Sequence, residues 1–415
     1  MSTVTFWCEH AWLPGGIHQS VAITVDNGRF GTVTPGAPKS GTTLEGLTLP
    51  GLANAHSHAF HRALRGRAQA GRGTFWTWRE RMYAVAGRLD PDNYLALARA
   101  VYAEMALAGI TCVGEFHYVH HPPGGTRYDD PNAMGGALTQ AASEAGIRLT
   151  LLDTCYLTST VDEAGPQGVQ LRFSDGGPGE WAERATARQP ADHVELGAAI
   201  HSVRAVPAQH MPGVVAWAED NNAPLHVHVS EQRAENAACL AHYGRTPTEV
   251  LADAGALGPR TTLVHATHIT DSDRTEIGDR DTAVCLCPTT ERDLADGVGP
   301  ARALADAGSP LCLGSDSHAV IDLFEEARAL ELHERLRTQR RGHFSAAELF
   351  AAATNHAALG WSDAGVIAPG ARADLVSVAL DSPRTTGCDP ASIVFAATGA
   401  DVRRVIVDGR IVVRQ

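Results

Sequence analysis

No apolar stretch in the 415 residues approaches the roughly 20 consecutive positions that a membrane span needs. The opening MSTVTFWCEHAWLP also lacks a basic segment followed by an apolar one. Both absences point to a soluble, cytoplasmic protein. Basic residues are the minority, 34 Lys and Arg against 47 Asp and Glu, for a net charge of -13. Nucleic acid or an anionic membrane needs a basic surface that this balance does not provide. An acidic small molecule stays compatible, given a few arginines in a pocket. The eight cysteines (Cys8, Cys112, Cys155, Cys239, Cys285, Cys287, Cys312 and Cys388) are scattered without a Cys-x-x-Cys pair. That spacing suggests neither a disulfide framework nor a cysteine zinc knuckle. There is neither a short internal repeat nor a low-complexity segment.

The composition, 44% hydrophobic and 20% charged, is that of a globular protein with a sizeable core. The length allows two medium domains or one large barrel with an appendage. Short β-rich runs at 3–8, 16–25 and 29–34, the last after an Asp26-Asn27-Gly28 turn, open the chain. Similar runs at 374–380, 393–396 and 402–413, with a turn at Asp408-Gly409, close it. Neither end has core enough to stand alone, so the two are expected to combine. Between them eight candidate strands, 47–53, 110–116, 148–156, 194–200, 224–229, 261–265, 282–287 and 310–314, alternate with alanine-rich amphipathic stretches such as 90–108, 133–145, 214–221 and 301–307. This pattern predicts an α/β fold, a (β/α)8 TIM barrel over 49–365, with a small composite β-sandwich domain built from 1–48 and 366–415.

Catalysis in such a barrel sits at the C-terminal ends of the strands, so the polar residues that end each apolar run matter most. Strand one ends in His56-Ser57-His58, whose period-two spacing throws both imidazoles to one side. With 20 histidines, about one His-x-His pair is expected by chance, so the pair alone says little. Strand two ends in Glu115, His117 and Tyr118, strand four in His201 and Arg204, strand five in His226 to Glu231, strand six in His265 and strand eight in Gly314-Ser315-Asp316-Ser317-His318. A single histidine at a strand end is ordinarily a hydrogen-bonded structural residue. Metal-competent residues recurring on one rim instead point to a metal site. His120, His121, His268 and His318 read as supporting or loop residues, and Cys285-x-Cys287 as core packing.

The whole chain resembles the amidohydrolase superfamily and, within it, the formimidoylglutamate deiminases (N-formimino-L-glutamate iminohydrolases) of histidine degradation. The resemblance is carried by His56-Ser57-His58-Ala59-Phe60, Phe75-Trp76-Thr77-Trp78-Arg79-Glu80, Gly114-Glu115-Phe116-His117-Tyr118-Val119-His120 and His201-Ser202-Val203-Arg204. Further on it rests on His228 to Gln232, Cys287-Pro288-Thr289-Thr290-Glu291, Gly314 to His318 and Gly370 to Leu375. It implies one Zn2+ per subunit held by His56, His58, His228 and Asp316, with a position left for water. In that scheme Asp316 accepts the water proton, His265 steadies the attacking water and the developing charge, and Glu231 serves the imine nitrogen so that ammonia can leave. Arg79, Tyr118, His201 and Arg204 match the family's substrate-binding positions. Two carboxylates entering a barrel demand paired donors of that kind. One position departs: the family's motif commonly carries glutamine where this chain has His61, an imidazole that can still donate to a carboxylate. The implied product is N-formyl-L-glutamate, and a homodimer is expected. The segment 121–136 is a candidate for closing over the site. The alternatives are a related aminohydrolase acting on a cyclic amidine such as a purine or pterin, and a non-catalytic barrel scaffold.

Overall fold

The computed structural model describes residues 3–69, 73–188 and 191–415. Eight parallel strands form the barrel: β5 (Leu52–Ser57), β6 (Ile110–His117), β7 (Arg148–Cys155), β8 (Val194–Ile200), β9 (Leu225–Val229), β10 (Thr261–His265), β11 (Ala283–Leu286) and β12 (Leu311–Leu313). Each pairs with its sequence neighbour, as right-handed βαβ units require. The ring closes by one parallel bridge, Ser57 to Asp316. There the Asp316 amide donates to the His56 carbonyl (3.0 Å) and the His58 amide donates to the Asp316 carbonyl (3.2 Å). Asn54 reinforces the seam: its Oδ1 accepts from the Ser315 amide and its Nδ2 donates to Ser315 Oγ.

Small side chains line the interior of the ring, where Ala53, Ala55, Cys112, Val264, Cys285, Cys287 and Cys312 pack against Leu359 and Trp361. Crowding makes Gly114 necessary, because a Cβ there would stand 2.4 Å from Leu359 Cδ2 and 2.7 Å from the Ala55 carbonyl oxygen. The connecting helices carry their own start signals. Pro91–Leu107 opens on an Asp90/Asn93 capping box with proline at its first position, and Ala346–Ala353 opens on a Ser345/Glu348 box.

The two chain ends build a seven-stranded sheet in the order β15 (Arg410–Arg414), β14 (Val402–Val407), β13 (Leu375–Val378), β4 (Thr42–Pro50), β1 (Val4–Leu13), β2 (Gly16–Asp26), β3 (Arg29–Thr34). It has a core of its own around Phe6, Val21, Ile23, Phe30, Leu44 and Ile406. Two sequence expectations differ from this picture. The run 47–53 is not one strand: β4 ends at Pro50 and β5 begins at Leu52, with Gly51 between them where a Cβ would meet Thr111 Oγ1 at 2.2 Å. The chain therefore passes from sheet to barrel without a loop, and the apolar run reads as continuous. The stretch 393–396 is not a strand but belongs to the 3-10 turn Pro390–Phe395, where Asp389 accepts from the Ala391 amide and proline takes the first position. No helix among the described residues is long and apolar enough to cross a membrane.

Candidate active site

His56, His58 and His228 meet at the C-terminal rim with their Nε2 atoms 3.1 to 3.3 Å apart. The His58 Nδ1–H donates to the Phe116 carbonyl (3.0 Å) and the His228 Nδ1–H to the His201 carbonyl (2.9 Å). A carbonyl only accepts, so these bonds fix the tautomer and leave both Nε2 atoms as lone pairs facing inward. Burial holds all three imidazoles well below the ordinary histidine range, hence neutral. Asp316 Oδ1 lies 3.4 Å from His56 Nε2 and 3.5 Å from His58 Nε2. Nitrogen ligands 2.0–2.1 Å from a tetrahedral zinc stand about 3.3 Å apart, so the triangle of nitrogens matches one face of such a site. The converging lone pairs of His58 and His228, beside His56 Nε2 and a carboxylate, are what a divalent cation would satisfy.

A second group borders this one. His265 Nε2 faces Asp316 Oδ2 and Glu231 Oε1, each at 3.8 Å, while its Nδ1 faces Glu291 Oε1 at 3.4 Å. Burial alone would lower His265, yet the carboxylates of Glu231, Glu291 and Asp316 outweigh it and push the imidazole up to about 10. Burial likewise pushes Glu231 up to about 7 against the pull of His265. Beneath the rim, Ser57 Oγ donates to Glu115 Oε2 (2.6 Å) and accepts from His318 Nε2 (3.0 Å), and Glu115 Oε1 accepts from the Ala59 amide. His318 is thus the supporting residue expected of it, bracing the His56-Ser57-His58 turn. Ser230, His265, Ala266, Asp316 and His318 all have positive φ. Left-handed backbone at non-glycine residues is held only where surrounding structure over-determines it.

One cavity opens over both groups. Its lining includes His58, His228, Glu231, His265 and Asp316, and also every residue expected to touch substrate: His61, Arg79, Tyr118, His201 and Arg204. The Arg79 guanidinium lies over the Trp76 ring at 4.3 Å and near Tyr83 at 5.5 Å, on the helix Phe75–Ala86. Arg204 faces Glu235 at 3.8 Å. His61 Nε2 lies 3.0 Å from the Tyr118 hydroxyl, its Nδ1 is buried without a partner, and burial pushes the ring down to about 3. Among the described residues, the segment 121–136 contributes none to the cavity lining, and its Asn132 Nδ2 donates to the Arg184 carbonyl. The wall is instead the helix Phe75–Ala86, through Phe75, Trp78, Arg79, Met82 and Tyr83. The strand-end reading, extended to strands three and seven, would have found Tyr156 on this wall and Glu291 behind His265. Glu235 lay unmarked four residues past Glu231.

Residues 47–412 match the amidohydrolase family. The chain is 36% identical to the formimidoylglutamate deiminase of Pseudomonas aeruginosa, covering 98% of this chain and 94% of that protein. It is 29% identical to the 5'-deoxyadenosine deaminase of Methanothermobacter thermautotrophicus, over 96% of this chain and 90% of the relative. The crystal structure of an amidohydrolase from Brucella melitensis superimposes with a TM-score of 0.91 at 32% identity, covering 98% of this chain and 94% of that one. The chain belongs to the amidohydrolase family and is an enzyme that hydrolyses C–N bonds.

Proposed function

We propose that the protein deiminates N-formimino-L-glutamate, giving N-formyl-L-glutamate and ammonia in histidine degradation, with one zinc held by His56, His58, His228 and Asp316. The observation that carries this reading is a single cavity lined by the histidine and carboxylate cluster on one side and by two guanidiniums on the other. A bound zinc would supply the Lewis acid that makes water nucleophilic near neutral pH. Asp316 Oδ2 is the carboxylate available to take a proton from the attacking water. His265, held charged by three carboxylates, stabilises negative charge as the formimino carbon becomes tetrahedral. Glu231, up at about 7, is able both to hold a proton and to hand it to the departing nitrogen.

Arg79 and Arg204 bind the two carboxylates of the substrate, with Tyr118, His61 and His201 as further donors. Arg79 reaches the cavity from a stack on Trp76, which keeps its fork in one orientation. The 36% identity to a formimidoylglutamate deiminase over 98% of the chain supports the same substrate. A second reading, deamination of a flat cyclic amidine, draws support from the aromatic wall of Phe75, Trp78, Tyr83, Tyr156 and Phe173 and from the likeness to a deoxyadenosine deaminase. Arg204→Ala separates the two. Loss of a charge-assisted contact of about 2 kcal/mol lowers kcat/KM for N-formimino-L-glutamate roughly 30-fold. A ring substrate has no carboxylate to lose, so turnover of a cyclic amidine that Arg204→Ala leaves unchanged would favour the second reading.

A further inference from the structure

Asp316 turns its two oxygens toward different neighbours. Oδ1 serves the triad of His56, His58 and His228, whereas Oδ2 faces His265 Nε2 at 3.8 Å. On that second side a sulfur joins: His265, Cys287 and Asp316 each offer a donor atom, all within 4.8 Å of one another. Cys287 does fill the barrel interior, as expected from sequence, yet it stands at the C-terminal end of β11 directly beneath the rim. Glu231 Oε1, 3.8 Å from His265 Nε2, adds a further carboxylate. Charge favours a guest here, because Glu231, Glu291 and Asp316 surround a single imidazole. One nitrogen, one thiol and carboxylate oxygens form a donor set suited to zinc or cadmium, and poorly suited to magnesium or calcium.

We infer that His265, Cys287 and Asp316, with Glu231 at the edge, form a second cation site for thiophilic divalent ions, weaker than the three-histidine centre and inhibitory when filled. It is weaker because ligation must first drive two protons to solvent, one from the Cys287 thiol, which binds as thiolate, and one from the charged His265 imidazole, whereas the three-histidine centre is already neutral. It inhibits because a cation there engages His265 and Glu231, the groups that handle charge and protons in the proposed reaction. That last step rests on the proposed function; the site itself does not.

The test is a cadmium titration of the metal-free full-length protein, with binding stoichiometry and the ultraviolet sulfur-to-cadmium charge-transfer band followed together. Two equivalents are expected, the band growing only with the second, and Cys287→Ser should bind one equivalent without a band. With zinc, ammonia release by the wild type should rise with the first equivalent and fall with the second. In Cys287→Ser the fall should move to at least roughly 10-fold higher zinc. A single equivalent in the wild type, a second equivalent without the band, or a band that survives in Cys287→Ser would each overturn the second site. The wild-type titration decides this even if the variant fails to fold. A protein that binds no equivalent would overturn the histidine centre as well, whereas a wrong substrate assignment would leave the titration unchanged.

Discussion

The lone pairs of the neutral His58 and His228 imidazoles face each other at 3.3 Å and repel unless a cation lies between them and His56. Removing one should therefore remove the ion. His228→Ala is expected to lose bound zinc and turnover together, in metal analysis and ammonia release on the same sample. Glu231 differs, because its carboxylate approaches His265 and not the three nitrogens. Glu231→Gln should keep zinc and KM near wild-type values while kcat falls about 10²–10⁴-fold, the usual range for losing a general acid or base. Full kcat in that variant would move the proton role elsewhere. At this scale the sequence was most informative where spacing alone dictates direction, as in His56-x-His58. It was least informative where a partner comes from a distant segment, as when Glu291 closes on His265 or Glu235 on Arg204.

Among the elements, the helix Phe75–Ala86 depends on an arginine that no pattern marks. Arg172 is fully buried, and its guanidinium donates to the carbonyls of Ala86, Leu89 and His121. The His120 and His121 amides in turn donate to the Arg172 carbonyl, so the helix carrying Arg79 is tied to the segment that follows Tyr118. Nearby, Arg184 bridges Asp153 and Asp175 inside the fold, with Arg188 also on Asp153. Burial alone would raise both carboxyls, yet Arg184 with His120 and Arg188 at Asp153, and His121 with Arg184 at Asp175, hold them below the usual range. A depressed carboxyl contributes stability that is complete above its unfolded value, near 3.9, and is lost as pH falls through the folded value. Arg184→Met removes the guanidinium shared by two buried carboxylates, leaving Arg188 on Asp153 and His121 on Asp175, and should cost about 3–5 kcal/mol at pH 7 in urea unfolding. The deficit should narrow toward pH 4, where stranded carboxyls take up protons; equal stability at pH 7 would show that Arg188 suffices. Strands were legible from their apolar runs, but the change of sheet at Gly51 was not, since both sides are buried. The turn at Pro390 was readable from Asp389-Pro390 and lost only to the apolar residues that follow.

Across the whole molecule, the seam that closes the barrel is also the site. The Ser57 to Asp316 bridge brings the first and last strands of the barrel into register, so His56, His58 and Asp316 are aligned by the fold's last closing contact. Eight strands alternating with helices pointed to a barrel, whereas the closing contact between the first and last strands is visible only in the structure. The net charge of -13 sits beside a cavity that gathers Arg79 and Arg204, so attraction of the proposed acidic substrate would depend on those two side chains and not on the protein's overall field. The most direct measurement is ammonia release by the zinc-loaded enzyme, with N-formimino-L-glutamate compared against purine and pterin amidines under identical conditions. The predicted result is a kcat/KM at least roughly 10³-fold higher for the acyclic dianion, with N-formyl-L-glutamate as the other product. Preferential turnover of a cyclic amidine, with N-formimino-L-glutamate left intact, would contradict it.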